Sequence, residues 1–402
     1  MRERSFTADT KDQSFDEIIL QQGELISDRL NMLRQEQYPP DAQKGLRQFS
    51  LAEVAYYLGV TQSTIKKLHL EGKGPEPETS SSGRRSYSAE QMLELRAYLD
   101  KHGRPGKRRY VPYRQPGEEL HVVSVVNFKG GSGKTTTSAH LAQFLALRGY
   151  RVLTIDLDPQ ASLSAMFGHQ PELDVDEGET LYGAIRYEDP RALSEIIRST
   201  YTPNLHIVPG NLELMEFEHE TPKAMSEGRS ASMFFARIGE VLTSVESYYD
   251  VVVIDCPPQL GFLTMSALSA ATGVLITVHP QMLDVMSMSQ FLSMTAELMS
   301  VVEKAGGRTS YDWMRYLVTR FEPNDGPQSQ MTGFMRSIFG NRMLQHAMLK
   351  STAISDAGVT KQTLYEVERS QFVRGTYDRA MESMSLVNQE IEDLLNVTWG
   401  RR

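Results

Sequence analysis

One cysteine, Cys256, occurs in 402 residues. A single thiol excludes an intramolecular disulfide and a cysteine-ligated iron–sulfur cluster, which needs several thiolates. Cys256 follows an aspartate at the end of an apolar run, so it is expected to be a small buried residue, not a nucleophile. No apolar run approaches a membrane span, and the polar N-terminus shows no apolar signal-peptide core; a cytoplasmic location is expected. Overall positive charge is also lacking: the formal net charge is −9. The balance is uneven, however, at −3 over residues 1–40, +6 over 41–115 and −12 over the remainder. A basic segment inside an acidic chain fits the binding of a polyanion. The length suggests two or three domains.

What is present begins with a glycine-rich loop, Lys129-Gly130-Gly131-Ser132-Gly133-Lys134-Thr135-Thr136. An apolar run, His121 to Val126, precedes it, and a helical pattern from Thr135 to Arg148 follows and stops at Gly149. Strand, loop and helix together make a phosphate cradle. Glycines admit backbone N–H groups close to phosphate oxygens, and the helix N-terminus adds partial positive charge. Lys134 is placed to reach the β- and γ-phosphates, and the Thr135 hydroxyl to sit on Mg²⁺. Phe128 stands where the ordinary loop has its first glycine, and a second lysine, Lys129, opens the loop instead.

Two further apolar runs end in carboxylates. Val152 to Asp156 leads into Leu157-Asp158-Pro159-Gln160, and strand alternation places Asp156 and Asp158 on one side. Tyr249 to Pro258 contains four branched apolar residues followed by Asp255, a buried parallel strand that delivers this aspartate to a metal.

The basic segment has its own pattern. Leu51 to Leu58 reads as a short amphipathic helix, Gly59-Val60 as a turn, and Thr61 as the cap of a second helix from Gln62 to Leu70. Ala55, Gly59 and Ile65 are small or apolar where a helix-turn-helix packs closely, and Gln62, Ser63, Lys66 and Lys67 face outward, suited to a major groove. Gly83-Arg84-Arg85-Ser86-Tyr87 follows a Pro/Glu/Ser-rich loop, and Ser88 with Gln91 forms a capping box for a helix to Asp100. Arg84 and Arg85 join Gln62, Ser63, Lys66 and Lys67 as the candidate DNA contacts of this segment.

Upstream, Phe15, Ile19, Ile26, Leu30 and Leu33 line one face of a helix ending before Pro39-Pro40. That face needs a partner, either the chain's own basic domain or the same helix of a second subunit. Lys101 to Gly117 reads as a linker in which Lys107-Arg108-Arg109 either solvate the strap or add phosphate contacts. The expected segments are therefore 1–40 (helix), 41–101 (basic domain), 102–118 (linker) and 119–402.

Beyond the glycine loop, strands at Leu205 to Gly210, Gly273 to Pro280 and Arg315 to Phe321 alternate with helices at Met233 to Val245, Met282 to Ala305 and Gln371 to Leu395. The fold class is α/β, a doubly wound and mostly parallel sheet behind an all-helical, winged N-terminal module. The methionines of residues 282–299 form a stripe that suits core or dimer packing.

The form Lys-Gly-Gly-x-Gly-Lys-Thr resembles the deviant phosphate loop of ParA/MinD ATPases, and Asp156-Leu157-Asp158-Pro159-Gln160 resembles the Asp-x-Asp-Pro-Gln element of the ParA group. Gly83-Arg84-Arg85-Ser86-Tyr87 is similar to the wing of MerR-type domains. With the stretches from Pro75 to Tyr87 and Asn127 to Gly168, the chain resembles the larger plasmid partition ATPases, in particular the RepA group of repABC replicons. That resemblance implies a homodimeric, nucleoid-associated ATPase that uses ATP and Mg²⁺, with Lys129 crossing to the partner's nucleotide and Asp158 orienting the attacking water. It implies a ParB-like (RepB) centromere-binding partner, repression of its own operon through operator DNA, and non-specific DNA binding near the C-terminus. Arg336, Arg342, Lys350 and Lys361 are candidates for the last role, or ordinary solvated charges. Phe321 to Asn324 sits where related ATPases contact adenine.

Two rival classes remain. One is a nucleotide-sensing transcription repressor without a transport role. The other, a MinD-like membrane-surface ATPase, needs a basic amphipathic C-terminal helix, whereas the chain end offers Glu390, Glu392 and Asp393 before Arg401-Arg402. The expectation is no membrane.

Overall fold

A computed structural model describes residues 14–37, 44–79, 83–103, 109–228 and 230–401. The chain divides into two units, Met1–Lys44 and Gly45–Arg402. The first holds one helix, α1 (Phe15–Gln37). Its Phe15, Ile19 and Ile26 are more than half exposed, so this part of the apolar face has no cover among the described residues of its unit. The Leu30 and Leu33 side chains and Pro39-Pro40 lie outside the described residues.

The second unit opens with a winged helix-turn-helix. A short strand, β1 (Phe49–Ser50), leads into α2 (Leu51–Leu58), whose start is a capping box between Ser50 and Glu53. Gly59, at φ 62°, makes the left-handed turn, and Thr61 caps α3 (Gln62–Leu70). Strands β2 (Glu78–Thr79) and β3 (Arg85–Tyr87) join β1 in an antiparallel sheet of order β1-β3-β2. The predicted Ser88–Gln91 box opens α4 (Ala89–His102). Ala55, Ile65, Tyr87 and Leu95 form the module's core.

The remainder is a seven-stranded sheet of order β10-β9-β4-β8-β5-β7-β6. Its strands are β4 (His121–Val126), β5 (Val152–Asp156), β6 (Arg198–Ser199), β7 (Leu205–Val208), β8 (Val251–Asp255), β9 (Gly273–Val278) and β10 (Trp313–Val318). All pairings are parallel except β6 with β7. The central strands β4, β5, β8 and β9 are buried throughout, as branched apolar runs covered by helices on both faces must be. Helix α5 (Lys134–Leu147) follows β4 and is almost wholly buried.

Several elements differ from expectation. The helix expected at Met233 to Val245 begins as 3₁₀ (Ser230–Ala236) and becomes α only at Arg237–Thr243. The final helix runs Arg374–Thr398, and the methionine-rich one Met282–Lys304. On the latter, Met288 and Met299 are buried, but Met282, Met286 and Met294 are exposed, so only part of the stripe packs in the core. The linker is not loose over its described part. Arg114 donates to Asp250, Tyr249 and Glu246, and Arg401 donates to Pro112, Tyr113 and Glu118. Lys107 and Arg108 lie outside the described residues. Among the described residues no helix is long and apolar enough to cross a membrane.

The winged module and the sheet domain share one core. Tyr57 of α2 meets Phe144 of α5 edge-on, with ring centroids 6.1 Å apart. Arg96 of α4, 6% exposed, donates to the carbonyls of Tyr57 (2.6 Å) and Leu147 (3.3 Å), the latter at the end of α5. Arg148 donates to the Tyr56 and Tyr57 carbonyls and pairs with Glu392. Gly149 makes this approach possible: a Cβ there would lie 2.5 Å from Cδ of Arg96.

Candidate functional site

The loop after β4 is tied down at its start. Asn127 Nδ2 donates to the Thr277 carbonyl at 2.6 Å, and its Oδ1 accepts from the Lys129 N–H at 3.0 Å. Gly131 and Gly133 have φ of 75° and 85°, the region where only glycine sits without strain. Gly133 caps α5, so the first N–H groups of that helix face the loop's concavity without intrahelical partners. Lys134 is 6% exposed and its ammonium donates to the Lys129 carbonyl at 3.4 Å. Burial lowers its pKa, and the nearby Asp255 and Asp158 oppose that.

Two buried carboxylates close the other wall. Asp156 and Asp255 are register partners on the adjacent strands β5 and β8. Burial raises the pKa of both; the charge of Asp255 raises Asp156 further, while the Thr135 and Ser138 hydroxyls pull Asp255 back. Ser138 Oγ donates to Asp255 Oδ1 at 3.0 Å, and Asp255 Oδ2 is buried without a hydrogen-bond partner among the described residues. Asp156 Oδ2 accepts from the N–H and the hydroxyl of Ser164, at 2.8 and 2.7 Å.

The expected placement of Asp156 and Asp158 on one strand face is corrected here. β5 ends at Asp156, and the chain then turns, because Asp156 Oδ1 accepts from the Asp158 N–H at 3.2 Å and Asp158 Oδ1 from the Gln160 N–H at 3.0 Å. Asp156 is thus a buried anchor and Asp158 a half-buried group on the turn beyond it. Cys256 is buried, and burial pushes its thiol up, as a packing residue's would be.

Lys129 reaches sideways. Its Nζ donates to Asp284 Oδ2 at 2.8 Å, in the first turn of the helix Met282–Lys304. The lysine side chain is 41% exposed and the aspartate 8%. Ser138 was legible in principle, four residues after Lys134 on the same helix face. Asp284 carries no local signal, since it reaches the site from a segment 155 residues away, and Ser164, eight residues after Asp156, belongs to no motif.

The chain matches the family described as AAA domain over residues 120–305 and that described as MerR HTH family regulatory protein over residues 49–99. A chain of Sinorhizobium fredii that carries the name replication protein A is 61% identical over 391 residues, 96% of each chain. The chain belongs to the ParA-type plasmid partition ATPases, in their RepA group. Among its ParA-type relatives, SopA of Escherichia coli is 28% identical over 90% of this chain and 92% of its own. A solved structure titled Partition Protein shares the fold, with a TM-score of 0.64 at 16% identity over 96% of this chain and 100% of that one.

In this ParA-type chain the donor set fits Mg²⁺ with a nucleotide. Thr135 and Asp255 supply a hydroxyl and a carboxylate oxygen that lacks a partner. Among the described residues no cluster of three His, Cys, Asp or Glu forms a cage. Mg²⁺ needs none, because it keeps waters and phosphate oxygens and takes one or two protein groups.

The DNA candidates are placed unevenly. Gln62, Ser63, Lys66 and Lys67 are exposed on α3, as expected of a recognition helix. Arg84 is exposed, but Arg85 is half-buried and its guanidinium bonds Nδ1 of His69 at 3.3 Å, tying the wing to α3. Residues 80–82 at the wing lie outside the described residues. Near the C-terminus, Arg342 is exposed, Arg336 bonds the Gln345 carbonyl, and Lys350 pairs with Glu322 at 2.9 Å.

Proposed function

We propose that this chain is the DNA-segregating ATPase of a plasmid replicon and the repressor of its own operon. One observation carries the reading. A nearly buried Lys134 and two carboxylates, Asp158 and Asp255, converge on a three-glycine loop at a helix N-terminus, within a chain whose other module presents a helix-turn-helix. Lys134 and the helix N–H groups bind the phosphates, and Thr135 and Asp255 hold Mg²⁺, which when bound neutralises phosphate charge. Asp158 orients the attacking water. Catalysis of this kind is mainly positioning and charge stabilisation.

In this reading ATP binding builds a homodimer in which Lys129 leaves Asp284 and reaches the nucleotide of the facing copy. The ATP form binds DNA without sequence preference, in association with the nucleoid, and a ParB-like partner of the RepB kind, bound at a centromere site, stimulates hydrolysis. Gln62, Ser63, Lys66 and Lys67 read operator bases, with Arg84 adding a phosphate or minor-groove contact.

A second reading has its own support. The winged module rests directly on the end of α5, the helix that starts in the phosphate loop. A nucleotide-sensing repressor without a transport role would use that contact alone. ATP hydrolysis measured with and without DNA and the ParB-like partner separates the two. Stimulation by both together is expected for the partition ATPase; turnover indifferent to the partner leaves only the sensor.

A further inference from the structure

Two contacts from the end of β10 reach the outside of the glycine loop. Thr319 Oγ1 donates to the Ser132 carbonyl at 2.7 Å, and Arg320 Nη1 donates to the Gly131 carbonyl at 3.2 Å. The chain has no cis peptide bond among its described residues. In a trans peptide the C=O and the following N–H point in opposite directions. A Gly131 carbonyl held against Arg320 therefore turns the Ser132 N–H the other way, and a Ser132 carbonyl held against Thr319 does the same for the Gly133 N–H. Among the described residues neither of these N–H groups has a protein hydrogen-bond partner.

The brace is built, not incidental. Thr319 is 2% exposed, and its own N–H is fixed to the Val278 carbonyl at 2.9 Å. A Cβ added at Gly133 would stand 3.4 Å from Cβ of Thr319, so the threonine seats directly against the glycine. Thr277 of β9 adds a hydroxyl contact to Ser132 Oγ at 3.0 Å. Arg320 itself has φ 53°, a conformation that residues other than glycine seldom take. The guanidinium reaches the loop from that backbone shape.

We propose that Thr319 and Arg320 are positioning residues of the phosphate cradle, which hold two loop carbonyls outward and so aim the Ser132 and Gly133 N–H groups at the phosphates. The proposal rests on the nucleotide-binding reading above. Without the brace a peptide flip replaces a donor by a carbonyl oxygen facing an anion. The α- and β-phosphates lie over this part of such a loop, so ADP and ATP suffer alike.

The test is titration of the full-length protein with a fluorescent ADP and with ATP in the presence of Mg²⁺. Thr319→Val is expected to weaken both nucleotides about tenfold or more, while Thr319→Ser, which keeps the hydroxyl, binds like the parent. Arg320→Gly relaxes the left-handed backbone yet removes the guanidinium, and is expected to lose affinity as Arg320→Ala does. Arg320→Lys is expected to recover part of it. The nucleotide-free melting temperature is not expected to fall in the three position-320 variants, whose side chain is exposed, so they serve even if Thr319→Val fails to fold. Parent-like affinity in Arg320→Gly, or equal losses in Thr319→Val and Thr319→Ser, overturns the proposal. Lys134→Ala is the control: if it loses nucleotide while the brace variants do not, only the brace is wrong. If it too binds normally, the nucleotide site itself is refuted and the brace with it.

Discussion

Residue by residue, the site separates groups that bind from groups that act. Asp158 stands on the turn after β5, outside the buried pair Asp156–Asp255, so its removal leaves the cradle intact. Asp158→Ala is expected to bind ATP with parent-like affinity and to hydrolyse it roughly 100-fold more slowly or worse, the range for loss of a positioned proton acceptor. Steady-state turnover beside equilibrium binding checks this; parent-like turnover assigns the water to another group. Lys129 presents a different problem, because Asp284 already holds it. Under the proposed function, Asp284→Asn is expected to free the lysine and to let an ATP-induced dimer form at lower protein concentration, measured by sedimentation. Adding Lys129→Gln should abolish that gain, and a gain that survives it shows the lysine to be a bystander. That Lys134, Thr135, Asp158 and Asp255 come together was legible because each follows the end of an apolar strand run, where a parallel sheet gathers its polar groups. Asp284, 155 positions from Lys129, was not, since only the fold brings the two together.

At the scale of elements, strands and capped helices were the most legible. The boxes at Ser50–Glu53 and Ser88–Gln91, the second of them read in advance, begin α2 and α4, and buried runs such as Val251–Asp255 had no amphipathic alternative. The stretch from Ser162 to Ser199 was not legible: its helices are four or five residues long and their apolar residues answer to tertiary contacts, not to a period. Helix α5 is the element with most at stake. His140 is buried within it, its Nδ1–H donating to the Thr136 carbonyl at 2.7 Å and its Nε2 accepting from the Leu364 N–H at 3.2 Å. Burial drops its pKa from 6.5 to about 4. Above pH 6.5 the ring is neutral whether the chain is folded or not, so it costs nothing there. As pH falls from 6.5 toward 4, the unfolded chain takes up a proton that the folded one refuses, and stability drops by up to on the order of 3 kcal/mol. Melting temperature against pH is expected to fall over that window and to fall less steeply in His140→Gln. Equal slopes would mean other groups dominate the acid limb.

For the whole molecule, the expected boundaries put an independent reader of DNA in front of an independent ATPase, and composition alone supports that division. The packing joins them. Phe49, Ile65, Tyr87 and Leu95 give the winged module a core of its own, yet Tyr57, Arg96 and Arg47 are satisfied by Phe144, Leu147, Tyr365 and Tyr377 of the sheet domain. A fragment ending at residue 118 is therefore expected to bind operator DNA in a gel shift while unfolding at a lower temperature than the full-length chain. Equal thermal stability would show the junction to be cosmetic. The sequence concealed the junction because its key groups, Arg96 and Arg148, read as ordinary surface charges until their partners are seen.

That common core has a genetic consequence. Under the proposed function, alleles that damage packing at Tyr57, Phe144 or Leu147 are expected to strike plasmid inheritance and operon repression together, so a heat-sensitive lineage that sheds its plasmid is expected also to overexpress the operon. Alleles confined to the phosphate loop or to the outer face of α3 should split the two phenotypes. A screen sorted on that basis maps the junction from colonies alone, without a purified protein.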